Sequence, residues 1–196
     1  MGAGATVERG VGIVTTWIAL LRGINVGGRN RLAMADLRAT VEAIGGRDVA
    51  TVLQSGNIVV DGDGGSGGRD EAAWAEALHA AIAERHGLDV GVVVRTPGEL
   101  ATALEHHPDA DRIDPKFAHV AFLDREPPPG AVDAIAPDAF APDRWDLVGR
   151  DLFLTYPNGS GRSRMTIDRF EQPWGVVATA RNLRTVAKLV DLAGDR

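Results

Sequence analysis

Apolar periodicity changes along this chain in an order that few folds can satisfy. Residues 15–21 form a short β-branched and aromatic run that reads as a buried strand, stopped at Arg22-Gly23. Met34, Leu37, Val41 and Ile44 then recur at helical spacing, and Gly45-Gly46 closes that helix. Residues 49–54 and 57–60 read as two strands around a two-residue turn, Ser55-Gly56. Asp70 can cap a helix that buries Trp74, Ala77, Leu78, Ala81 and Ile82 and ends at Gly87. Residues 90–94 are a further apolar strand. The order β-α-β-β-α-β is the split βαβ, or ferredoxin-like, unit.

The rest of the chain repeats most of that order. A helix over 97–106 is followed by a strand over 117–123 and a short helix over 127–136. Residues 145–148 and 152–155 make a hairpin about Gly149-Arg150. Residues 164–172 read as a helix, and 182–193 as a last helix that buries Leu183, Val186, Val190 and Ala193. The expected fold class is therefore α+β: two ferredoxin-like halves with antiparallel sheets and helices on one face. The expected organisation is a flexible N-terminal tail over 1–14, a first half over 15–96, a connecting helix and linker over 97–113, and a second half over 114–196. A Gly-rich spacer is expected over 61–68. No sequence repeat accompanies the repeated order.

Composition removes several kinds of chemistry. The chain has no Cys, which excludes disulfides, Cys-ligated zinc, iron–sulfur clusters and a thiol nucleophile. The apolar run over 11–21 is too short to span a bilayer, so a cytoplasmic protein without a membrane partner is expected. The net charge of −6 argues at first against a nucleic-acid partner. It is unevenly spread, however. Residues 9–35 carry four Arg and no acid, and residues 162–188 carry six bases and two acids. His106, His107, Asp109 and Asp111 crowd one loop without spacing that favours a metal, and no metal site is expected.

Three segments are candidates for a binding site. The first is the strand-to-helix loop from Arg22 through Gly23, Asn25, Gly27, Gly28, Arg29 and Asn30 to Arg31. Glycines let such a loop aim successive N–H groups at an anion, and Arg captures phosphate or carboxylate bidentately. It matches neither a P-loop nor a dinucleotide fingerprint. The second is the hairpin with Gln54, Ser55 and Asn57. It is expected at the end of the sheet opposite the end of the first strand, out of reach of the Arg22 loop within one half. The third is the last helix, where Arg181, Arg184, Thr185 and Lys188 fall on one arc, with Asn182 at its start. His119 alternates away from the apolar face of its strand and is expected at a polar surface.

Three stretches together resemble the bacterial domain-of-unknown-function family 1697: Ala19 to Gly28 with Met34 and Leu37 after it, Gln54 to Asn57, and Ala178 to Leu189. The resemblance spans residues 16–193. It implies two ferredoxin-like halves and no assigned activity. This chain departs from the pattern at Leu183, where Trp is usual, at Arg184, where Asn is usual, and at Gln172-Pro173-Trp174.

The acid-free, Arg-rich segments predict binding of a phosphate-bearing ligand, either a small molecule such as a nucleotide or a nucleic acid. A small-metabolite enzyme using the same loop as an anion clamp, and a protein-interaction or self-association module, are the alternatives. The residues name no cofactor, no catalytic base and no oligomeric state.

Overall fold

The structure is a computed structural model, and it describes residues 14–63 and 68–196. The expected tail over 1–14, but for Val14, and the middle of the expected spacer, 64–67, lie outside the described residues.

The first half runs β1 (Val14–Leu21), α1 (Met34–Ala43), β2 (Arg47–Val52), β3 (Asn57–Asp63), α2 (Glu71–His86) and β4 (Val92–Arg95). After α3 (Pro97–His106), the second runs β5 (Ala118–Leu123), β6 (Arg144–Val148), β7 (Asp151–Thr155), α4 (Asp168–Trp174), β8 (Ala178–Asn182) and α5 (Leu183–Gly194). Each half builds one antiparallel four-stranded sheet, in the orders β2-β3-β1-β4 and β6-β7-β5-β8, so the two sheets have the same topology.

Local chemistry sets the helix ends. Asp70 accepts the N–H of Ala73 (2.8 Å) at the start of α2, and Gly87 closes it at φ +65°. Thr96 and Glu99 form a reciprocal capping box on α3, with Pro97 at its first position. Asn182 caps α5 by accepting the N–H of Thr185 at 2.9 Å.

Sheet faces explain why β1 is apolar from Trp17 to Leu21. Trp17, Ala19 and Leu21 point into a core with α1 and α2, while Ile18 and Leu20 point into a second core. That second core is shared by both halves. It joins Val59 and Val93 of one sheet to Val120, Phe122 and Phe153 of the other, through Leu100 of α3 and Leu183, Val186 and Leu189 of α5. A third core covers the outer face of the second sheet with Phe170 and Trp174 of α4. Both faces of each sheet are therefore covered. The first half's own helices, α1 and α2, share one face of its sheet, whereas the second half has α4 on the outer face and α5, with α3, in the layer between the sheets.

Four local expectations are corrected. The short helix over 127–136 is a 3-10 turn at Val132–Ala134 in an otherwise irregular Pro-rich segment. The helix over 164–172 is the shorter Asp168–Trp174. The turn between β2 and β3 has four residues, 53–56. Residues 178–182, where no strand is expected, are β8, a Thr- and Arg-containing strand whose polar residues mask its period.

Candidate functional site

β1 ends at Leu21, and its neighbours decide what surrounds the loop that follows. Because β1 pairs antiparallel with β3, with Leu20 opposite Asn57, the turn before β3 lies beside the end of β1. The Leu21 N–H donates to Gly56 O at 2.8 Å. The expectation that the hairpin sits at the far end of the sheet is thus wrong, and the loop and the hairpin touch.

The loop is held open by left-handed backbone. Asn25, Gly27, Gly28 and Asn30 have φ of +54°, +57°, +78° and +46°. A Cβ at Gly27 would meet nothing within 4 Å, so glycine serves the backbone angle there and not packing. Asn25 is the internal brace. Its Nδ2 donates to Leu32 O (2.9 Å) and Gln54 O (2.8 Å), and its Oδ1 accepts the Leu32 N–H (2.9 Å).

A cleft of about 990 Å³ opens between this loop and the second half. Arg22, Gly23, Gly27, Arg29 and Asn30 line one wall, with Ser55 from the hairpin. Arg181 and Asn182 line the other, along the edge strand β8. Residues from all three segments proposed from sequence therefore meet in one place. Asn25, Gly28 and Gln54 border a separate depression with Arg31 on the other side of the loop. Asn57 is fully buried behind the wall, Arg184 is tied outside to Asp114 at 2.7 Å, and Lys188 is exposed on α5 away from the cleft. Those three do not reach the site. Arg181 belongs to β8 and not to the last helix, and Thr185 is buried, so the expected basic arc does not form.

Arg181 is the centre of the far wall. It is 8% exposed, and among the described residues no carboxylate bonds it. Its Nε donates to Asn57 Oδ1. Nη1 donates to Thr179 Oγ1 (2.7 Å) and Ala180 O (2.8 Å), and Nη2 to Leu21 O (2.8 Å), Ser55 O (2.9 Å) and Gly56 O (3.3 Å). All five N–H donors are used, and every acceptor is neutral. The side chain is a staple from β8 to β1 and the hairpin. Burial without a counter-ion lowers its pKa to about 10.

Arg22 is different. Its Nε donates to Glu171 Oε1 at 2.7 Å, and its Nη2 contacts carboxylate oxygens of both Glu171 and Asp168 on α4. Sequence reading missed these acids, because nothing local links Arg22 to residues almost 150 positions away. It also missed His119, which lines the cleft, packs edge-on against Tyr156 with centroids 5.1 Å apart, and is half-buried instead of lying on a polar surface. Burial lowers its pKa to about 4, so it is neutral at pH 7. Val26 and Leu53, 62% and 53% exposed, add apolar rims from the two loop tips. The cleft hydroxyls are already engaged: Ser55 Oγ accepts from Asn57 Nδ2 at 3.0 Å, and Thr179 Oγ1 donates to Leu21 O at 3.2 Å.

A second hollow, of about 660 Å³, lies over Asp70, Glu71, His79 and Arg150. Asp70 is the cap of α2, and Glu71 bonds both Arg95 and Arg150, so its main charged groups serve the fold.

A family model described as "Protein of unknown function (DUF1697)" matches residues 14–153. The chain belongs to this family. The match covers the loop, the hairpin and His119, and it ends before Asp168, β8 and α5. No curated protein matches this DUF1697 chain. Among solved structures, a conserved bacterial protein, SP0830, from Streptococcus pneumoniae is similar, with a TM-score of 0.65 and 20% identity over 93% of this chain and 99% of that one. That likeness concerns the fold alone. Among the described residues, no helix is long and apolar enough to cross a membrane.

Proposed function

We propose that the cleft binds a small phosphate-bearing ligand, with a nucleotide as the best-fitting class. The observation that carries this reading is the Arg181 guanidinium, buried at the cleft wall and surrounded only by neutral oxygens. A buried cation without a counter-ion is costly, and an anion bound nearby recovers part of that cost without displacing any of its hydrogen bonds. Arg29 stands opposite on the loop, exposed and without an ion pair among the described residues, so its planar fork is available for direct contact. Val26 and Leu53 at the rim suit an apolar moiety on the same ligand, which favours a nucleotide over bare phosphate. Leu53 holds φ +60°, a conformation costing about 1 kcal/mol that a rim residue without a role has no reason to keep.

A long nucleic acid is a weaker fit. Tracking a backbone needs a stripe of free cations, and Arg22 and Arg184 are already neutralised by acids. The test is thermal unfolding against inorganic phosphate, AMP, ADP and ATP. A ligand at 100 times its Kd adds about 2.7 kcal/mol, a rise of roughly 5–10 °C for a chain of this size. Flat midpoints across the whole set would end the proposal.

A further inference from the structure

We infer that Asp168 is a built-in competitor for the anion site: it occupies Arg22 across the cleft mouth, and a ligand oxygen that takes the Arg22 Nη2 must displace it. This inference rests on the anion-binding reading above and adds how that site is regulated.

The two acids on Arg22 are not equivalent. Glu171 is 11% exposed, and its Oε1 accepts both the Arg22 Nε (2.7 Å) and the backbone N–H of Ala178 (2.8 Å). It is fixed from two sides, by β1 and by the start of β8, and by itself balances the charge of Arg22. Asp168 is 63% exposed, and among the described residues its carboxylate has no ion pair except with Arg22 Nη2. It is therefore a surplus charge, held by one charge-assisted bond and free to swing into water. Both Arg22 and Asp168 line the cleft, one from the end of β1 and the other from the first turn of α4, so their bond crosses from one half to the other.

The Asp168 oxygen on the Arg22 Nη2 is an anionic acceptor of the same kind as a phosphate oxygen. Asp168 thus stands where a ligand oxygen would stand. When Asp168 is displaced, Glu171 keeps Arg22 in place, so the site is not dismantled by opening. Two carboxylates sharing one guanidinium also repel each other, which keeps the cost of releasing the exposed one small.

The experiment is a double-mutant cycle on the full chain, with ADP affinity read by calorimetry. Asp168→Asn keeps the size of the side chain and removes its charge. It is expected to tighten ADP about tenfold, equivalent to one charge-assisted contact no longer in competition. In the Arg22→Gln background the same change is expected to alter affinity less than twofold, because there is nothing left to compete for. Arg22→Met, which also removes the charge, replaces Arg22→Gln should the latter fail to fold. Equal tightening in both backgrounds would show simple repulsion through space and overturn the competitor role while leaving ADP binding intact. No change on Asp168→Asn with measurable ADP binding would overturn it too. Silence of ADP in wild type and in D168N alike would remove the nucleotide site, and the competitor with it.

Discussion

Removing the charge of Glu71 should destabilise the whole molecule, because it would strand the most deeply buried cation of the first half. Arg95 ends β4 and is 1% exposed. Its Nη1 donates to Glu71 Oε1 at 2.5 Å and to Val94 O at 2.8 Å, and its Nη2 donates to Leu123 O of the second half. The same Glu71 carboxylate takes Arg150 from the turn after β6, at 2.7 and 3.1 Å, and Arg150 goes on to Glu99 at 2.7 Å. The four side chains form a closed network between the halves. In Glu71→Gln the nearest remaining acid to Arg95 is Glu99, at 4.0 Å from Nε. Breaking a buried ion pair from one side costs about 3–5 kcal/mol. Glu71 is itself about one-quarter exposed, so the lower end applies, and we expect about 2–3 kcal/mol.

For a chain of this length that is a fall of roughly 5–10 °C in the thermal midpoint, read by circular dichroism at pH 7. A single transition is expected throughout, since the core between the sheets contains residues of both halves. In an Arg95→Met background the cost of Glu71→Gln should drop below about 1 kcal/mol, because no buried charge is left unpaired. Glu105→Gln, on the exposed face of α3, is the charge control and should leave the midpoint unchanged. A Glu71→Gln midpoint within 1–2 °C of wild type, measured as about zero against that control, would mean that the carbonyl oxygens alone satisfy Arg95 and would refute the reasoning.

Three further outcomes follow from the cleft. Arg29→Ala should weaken nucleotide binding about tenfold in calorimetry while leaving the ligand-free midpoint within about 1 °C, since its side chain supports nothing in the fold. Gly56→Ala should cost more than about 2 kcal/mol in denaturant unfolding, because φ is +72° and the new Cβ would lie 2.7 Å from both Leu21 Cβ and Ile24 Cδ1. His119 has a folded pKa of about 4 against 6.5 unfolded, so between those values only the unfolded chain takes the proton. Its contribution is complete above pH 6.5 and is lost as pH falls toward 4, up to about 3 kcal/mol, so the stability gap between wild type and His119→Gln should narrow over that window.

How far the sequence disclosed this fold depends on which face each residue serves. β1 through β4 were legible because capping and periodicity agree there: Asp70 and Gly87 bound α2, and Met34, Leu37 and Val41 mark one face of α1. β8 was not, since Thr179 and Arg181 are buried as a hydrogen-bonded pair at 2.7 Å and read as polar surface in one dimension. Missing that strand moved Arg181 onto a helix and gave the last helix a basic arc it does not have. The Arg22 loop stood out as a candidate site through its glycines and its lack of acids. What could not be read was that its arginine is balanced by Asp168 and Glu171, because an ion pair across almost 150 residues leaves no local trace.

The same distances argue that the two halves form one unit. The first half alone would expose Ile18, Leu20, Val59 and Val93, which α3, α5 and the second sheet now cover. It would also leave its three converging carbonyls, at Leu21, Ser55 and Gly56, without the guanidinium that orients the loop end and the hairpin toward each other. The portion matched by the DUF1697 model contributes one wall of the cleft, and residues beyond 153 contribute Asp168, Arg181 and Asn182. Two members of the family that share the first wall can therefore differ in ligand through the second. In this chain that second wall includes an acid set against an anion's approach and an arginine with no donor to spare. Under the anion-binding proposal, both features make affinity depend on how the halves meet as much as on the glycine loop itself.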